Sequence, residues 1–261
     1  MKLVRFHYLQ GDAWGVVSGT QVRLLPGSPY GDWSPGESSL PLEGLELLPP
    51  CNPSKIVCVG LNYRDHAREL GIPLPEEPLL FLKPPSALIG HRQRIIHPAS
   101  SKRVDYEAEL AVVIRKRLKD AGASEARAGI LGYTCANDVT ARDLQGRDVQ
   151  WTRAKSFDTF CPVGPWLSTD LDPDNLSIKL ILNGETRQDS STREMIFPVD
   201  RLVSFVSTVM TLYPGDLIMT GTPAGIGAMR VGDIVSVEIG EIGVLTNQVA
   251  ESRVKKIIDN Y

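Results

Sequence analysis

Apolar and polar residues alternate with a period of two through much of the chain, and that period predicts strands. Residues 1 to about 26 alternate as short strands, "KLVRFHYL", "AWGVVSG" and "QVRLL", with Gly11, Gly19 and Gly27 at the turns. Residues 26–53 lose the alternation and fill with Pro, Gly and Ser, which predicts a linker. A boundary near residue 50 follows. It divides the chain into a small β-rich N-terminal unit with its linker, 1–50, and a larger unit, 51–261.

In the larger unit "KIVCVG" (55–60) is a short apolar run closed by glycine, a buried strand. "YRDHAREL" (63–70) has helical spacing and is stopped by Gly71 and Pro73. "PLLFLKPPSALIG" (78–90) joins a short strand to a proline-broken loop, and "EAELAVVI" (107–114) is a strand. "SEARAGILGYTCANDVTARDLQ" (124–145) begins as a helix and passes into a strand at "GYTCAND". "PDNLSIKLILNGETRQ" (173–188) is a hairpin turning at Asn183-Gly184, a pair that favours a type I′ loop. "PVDRLVSFVSTVMTLYPGD" (198–216) predicts an amphipathic helix with Leu202, Phe205, Val206, Val209 and Met210 on one face. The remainder returns to strands and turns. Helices are few and βαβ alternation is weak, so the class is mostly β with helices.

One strand breaks the rule of apolar burial. "RVDYEAELAVVI" (103–114) places Asp105, Glu107 and Glu109 on one face, about 6–7 Å apart along the strand. No Lys or Arg relieves them there, and the same face turns apolar at Ala111 and Val113. A half-exposed strand with its polar face in water is one explanation. Carboxylates held near a low-dielectric core are the other, and these need a cation or a shared proton. A hard divalent ion takes such oxygen ligands. Asp138, at the end of "GYTCAND", is a third candidate ligand or else a turn aspartate capping the next segment.

Composition removes several function classes. The chain has 261 residues, 42% hydrophobic, and a formal net charge of −3. It carries no basic footprint for nucleic acid and no polybasic membrane patch. No apolar run approaches the roughly 18 residues of a membrane span, and the first residues lack the apolar core of a signal peptide, so the cytoplasm is expected. Cys51, Cys58, Cys135 and Cys161 form no zinc or disulfide spacing and read as small buried hydrophobes. There is no GxSxG elbow or P-loop, and the glycines of "GTPAGIG" are wrongly spaced for a dinucleotide fingerprint.

"GLNYRDHAREL", "FLKPPSALIG", "VDYEAELAVVI", "NDVTARDLQ", "AKSFDTFCPVGPW", "LILNGETRQ" and "PGDLIMTGTPAGIG" follow one another between 60 and 227. In series they resemble the fumarylacetoacetate hydrolase family, in its short bacterial branch. The resemblance implies a mixed β roll, a homodimer, and a magnesium (or manganese) ion held by three carboxylates. Those positions fall on Glu107, Glu109 and Asp138, leaving Asp105 a surface or loop residue. It further implies His66 as a general base oriented by Glu69 on a short lid helix, and Lys155 as an active-site lysine. Arg142 and Gln145 would meet substrate oxygens, and Lys83, Ser86 and Thr222 are candidate pocket residues. Without the resemblance, Lys155 would read as a surface lysine, His66 and Glu69 as an exposed pair, and Arg142 as the ion-pair partner of Asp143.

The activity it implies is metal-dependent chemistry on a small 2-oxo or enol dicarboxylic acid, through an enolate that the ion stabilises. The branch resembles 2-hydroxyhepta-2,4-diene-1,7-dioate isomerases and their associated decarboxylases. Acylpyruvate (fumarylpyruvate-type) hydrolysis and oxaloacetate decarboxylation are alternatives, as is a non-catalytic metal-binding homologue.

Overall fold

A computed structural model describes residues 1–252; positions 253–261 of the 51–261 unit lie outside the described residues. The alternating segments assemble into three sheets, and a 12-stranded sheet dominates. At its centre Ala108–Ile114 pairs antiparallel with Ile130–Asn137 on one side and Leu217–Met219 on the other. Every residue of this strand is buried. Ala108, Leu110, Val112 and Ile114 join the main apolar cluster, while Ala111 and Val113 join a second cluster on the opposite face. Full burial of each such Leu, Ile or Val stabilises by about 1.5–3 kcal/mol, so the strand is held from both sides. The half-exposed alternative for this strand is thereby excluded.

The sheet continues through Leu217–Met219 to a parallel neighbour, Ile56–Gly60, and then to Leu79–Lys83. In the other direction Ile130–Asn137 pairs with Cys161–Ser168, which pairs with Lys2–Tyr8. The N-terminal strands Gly11–Ser18 and Gln21–Leu24 therefore extend the same sheet. A 5-stranded sheet contains the predicted hairpin, Ser177–Leu182 with Glu185–Ser191. Its turn has Asn183 at φ 52° and Gly184 at φ 84°, as a type I′ loop requires. All four cysteines are buried and free. No described helix is long and apolar enough to cross a membrane.

Three expectations need correction. The acidic segment is not one continuous strand: Val104–Tyr106 belongs to a 3-stranded sheet with Thr140–Ala141 and Gly227–Met229, and the chain changes sheets at Glu107. The backbone N–H of Glu107 leaves the ladder and donates to Asn137 Oδ1 at 2.9 Å. Asp105 is fully buried and not a surface residue, because Arg103 and Arg142 both pair with it. The helix predicted over 198–216 spans only Val199–Val209. It buries Val199, Leu202, Val203 and Val206, and leaves Val209 at 57% exposure, so the buried stripe is rotated from the predicted one. Pro214 and Gly215 turn the chain beyond it, where Leu212 bridges to Leu118.

Asp216 fixes where the central parallel pair begins. It has no exposed surface and accepts from Ser54 Oγ at 2.6 Å, from the backbone N–H groups of Ser54 and Tyr213, and from the Lys55 ammonium. Asp216→Ala leaves the donors of both strands unpaired and is expected to cost about 3–5 kcal/mol, readable as a lower midpoint in urea denaturation.

Candidate active site

Three segments bring the acidic residues together. Glu107 sits where the chain leaves one sheet for another, Glu109 lies in the central strand, and Asp138 follows Ile130–Asn137. Register places Ala108 opposite Asn137 and Glu109 opposite Ala136, so the end of one strand faces the start of the other. One oxygen from each of Glu107, Glu109 and Asp138 lies within 4.8 Å of the others, and all three residues are buried.

Cations surround the trio, none of them from its own strand. Lys155 Nζ donates to Glu107 Oε2 at 2.9 Å and to Asp138 Oδ2 at 2.6 Å. Lys83 Nζ donates to the other oxygen of Asp138 at 2.5 Å and to Val139 O at 3.0 Å. Arg142 bonds Glu107 Oε1, Asp105 and Gln145 Oε1. Burial pushes the Glu107 carboxyl up, but Lys155 and Arg142 outweigh it and hold it down at about 2. Burial, then the charges of Asp138 and Glu107, push Glu109 well above the usual carboxylate range. Its one described hydrogen bond is from Gly221 N–H, at 2.7 Å. Burial lowers Lys155, but Asp138 and Glu107 outweigh it and keep the ammonium charged.

Glu109 thus has no side-chain cation beside it and is favoured in its protonated form until a cation reaches it, and it lines a cleft of about 670 Å³. Oxygen-only donors of this kind fit magnesium or manganese and not a thiolate-preferring metal. Glu107, Glu109 and Asp138 are the residues that would hold the ion.

The cleft is roofed by the helix Arg64–Leu70, which ends at Gly71 with φ 66°. Gly71 and Ile72 N–H groups close back onto Arg68 and Ala67 carbonyls, the glycine-terminated cap that the sequence predicts. His66 lines the cleft, and its Nδ1 lies 2.9 Å from Glu69 Oε2. A carboxylate only accepts, so Nδ1 donates and Nε2 is left basic. The other oxygen of Glu69 accepts from Gly225 N–H at 3.0 Å, and Asp65 accepts from Ser190 Oγ at 2.6 Å. These bonds dock the helix over the site.

Of the remaining predicted residues, Arg142, Gln145 and Thr222 line the cleft. Lys83 lies behind the carboxylates, supporting Asp138 from below. Ser86 is exposed on the turn Pro85–Ala87 and is not among the residues lining the cleft. Asp143 pairs with Ser101, not with Arg142. Sequence reasoning missed Phe81, Trp151 and Gln188. Gln188 accepts from Ala108 N–H and donates to Thr222 Oγ1, both at 2.9 Å, so it ties the acidic segment to the loop bearing Thr222. Nothing in the sequence distinguishes it from its polar neighbours, whereas a lone Trp151 in a polar stretch before Lys155 was a usable signal.

Residues 55–250 match the family model described as Fumarylacetoacetate (FAA) hydrolase C-terminal. The chain belongs to the fumarylacetoacetate hydrolase family. Residues 1–50 match a second model, Rv2993c-like, N-terminal. Protein Rv2993c of Mycobacterium tuberculosis is 47% identical over 249 residues, 94% of each chain. The bovine mitochondrial oxaloacetate tautomerase FAHD2A is 49% identical over 215 residues, 78% of this chain and 68% of that protein. A crystal structure of 2-hydroxyhepta-2,4-diene-1,7-dioate isomerase from Mycobacterium marinum superposes with a TM-score of 0.90 at 44% identity, covering 97% of this chain and 100% of that one. Members of this family are enzymes, and the fold, mostly β with a β roll, is the family's.

Manganese or magnesium should raise the melting temperature reversibly, by the equivalent of about 2.7 kcal/mol at a hundredfold excess over Kd. Glu109→Gln keeps an acceptor for Gly221 but removes the charge, so it is expected to fold normally and to lose that metal-induced shift.

Proposed function

We propose that this protein is a divalent-metal-dependent enzyme that moves a proton between the keto and enol forms of a small 2-oxo acid. An isomerase of known structure and a tautomerase relative are both named for this class of reaction, which supports the reading. One observation carries it: three buried carboxylates form the cleft floor, and His66, held by Glu69, lines the same cleft.

A magnesium or manganese ion, when bound by Glu107, Glu109 and Asp138, supplies a Lewis acid for the 2-oxo group. The chain's own residues do the rest. His66 Nε2 takes the proton from the carbon beside the 2-oxo group and returns it to another position of the enol system. Glu69 holds the ring in the tautomer that leaves Nε2 basic and stabilises the imidazolium that forms. Lys155 spends two of its three N–H bonds on Glu107 and Asp138, and the third can meet an oxygen that becomes negative. Gln145 accepts from Arg142 through its carbonyl, which leaves its amide N–H groups to donate to a substrate carboxylate. Thr222 accepts from Gln188, so its own hydroxyl hydrogen is free to donate in the same way.

The same His66–Glu69 pair could activate a water, and a cleft of about 670 Å³ leaves room for one. The reaction would then be hydrolysis of a C–C bond in an acylpyruvate. Loss of enol absorbance followed by mass analysis separates the two readings, since isomerisation conserves substrate mass and hydrolysis yields two fragments.

His66→Gln is expected to lower kcat by about 10²–10⁴-fold with little change in substrate binding. Turnover equal to the native protein's, or unaffected by a chelator, would sink the proposal.

A further inference from the structure

The cleft has two chemically different halves. The three carboxylates, Lys155, Arg142 and Gln145 make its floor, and Leu70, Ile72, Leu79, Phe81 and Trp151 make its outer wall. Among the described residues lining it, Lys155 and Arg142 are the only Lys or Arg. Both are committed inward: Lys155 to Glu107 and Asp138, Arg142 to Asp105, Glu107 and Gln145. The Lys155 ammonium lies over the inner edge of the wall, 5.0 Å from the Phe81 ring centroid, and no Lys or Arg comes from the wall itself.

That wall is a built surface. Phe81 and Trp151 pack edge to face with ring centroids 5.3 Å apart and planes at 73°. Gly60 lies beneath them, where a Cβ would sit 3.1 Å from the Trp151 ring and 3.2 Å from Leu79 Cδ2. The missing side chain lets Trp151 and Leu79 close over the backbone. Leu70 and Leu79 stand at the mouth, 49% and 51% exposed, and offer apolar surface for a ligand to cover.

We infer that the substrate carries one carboxylate, at its 2-oxo end, and an uncharged, largely apolar tail of a few carbons that lies along Phe81, Trp151, Leu79, Leu70 and Ile72. This rests on the 2-oxo acid reading above and names the half of the substrate which that reading leaves open. It departs from the dicarboxylic class implied by the family resemblance. A second carboxylate against this wall would lose its water with no Lys or Arg of the wall to pair with, which is how an apolar site disfavours a charge. An apolar tail would remove its own surface and that of Leu70 and Leu79 from water together.

Matched pairs of stable 2-oxo acids test this by calorimetry on the metal-loaded protein: 2-oxopentanoate against 2-oxoglutarate, 2-oxohexanoate against 2-oxoadipate, with pyruvate as the tail-less reference. The expected result is that each monocarboxylate binds at least about tenfold more tightly than the dicarboxylate of equal length, with affinity rising about two- to fourfold per added methylene. Trp151→Ala should flatten that rise. Leu79→Arg, at a half-exposed position that can hold a charge without disturbing the core, should bring the dicarboxylates level or ahead. Dicarboxylates that bind the native protein as well as or better than their partners overturn the inference and leave the 2-oxo acid reading standing. If none of the five acids binds, pyruvate included, the 2-oxo acid reading fails and takes the inference with it.

Discussion

Three carboxylates buried within 4.8 Å of one another set the terms for the rest of this structure. Fully ionised, each pair would repel by at least about 3 kcal/mol even at an effective dielectric of 20. A strand carrying that load cannot supply its own counter-ions, because its neighbours must stay apolar to pack. The fold brings them from elsewhere: Lys83 from an edge strand, Lys155 from the end of a short helix, and Arg142 from the start of the helix Arg142–Gln145. Neutralisation is uneven. Glu107 and Asp138 receive the cations and Glu109 only a backbone N–H, so Glu109 is the carboxyl that holds a proton until a cation enters from the cleft.

The scaffold makes this arrangement rigid. Glu109 sits in a strand buried on both faces, Glu107 at a crossing between sheets, and Gly221 just beyond a strand whose start is pinned by Asp216. Small displacements of any of the three would open the trio, yet each is tied to a different part of the core. The roofing helix is held differently, by a few polar bonds from Asp65, Glu69 and Arg64. A short helix is marginal alone, so its docking energy is what places His66 over the floor. Rigid floor and polar-docked roof suit a site that must admit a ligand and then exclude water.

Membership of the fumarylacetoacetate hydrolase family accounts for the fold that carries the floor; on the inference drawn above, the wall is where the choice of substrate would be decided. The charged residues pair chiefly with each other. What remains for the far end is aromatic and aliphatic, closed over a glycine. On that proposal, reaction class and substrate choice would be carried by separate groups of residues within one cleft.

Much of this was legible in the sequence because it is local. Period-two alternation predicts the strands, Asn183-Gly184 the hairpin turn, Gly71 the end of the roofing helix, and i, i+3 spacing the meeting of His66 with Glu69. The unrelieved charges of Glu107 and Glu109 mark the site with no coordinates at all. Tertiary structure alone decided the rest. Asp105 shares the spacing of its neighbours but is turned into another sheet and neutralised by two arginines, because the chain changes ladders at Glu107. Ser86 sits in a motif beside Lys83, and only the direction of the turn separates the exposed residue from the buried one. Lys155, which composition would place on the surface, is buried because partners far away in sequence demand its charge. Pattern along the chain reports what each residue prefers; which long-range partner satisfies that preference is set only when the sheets close.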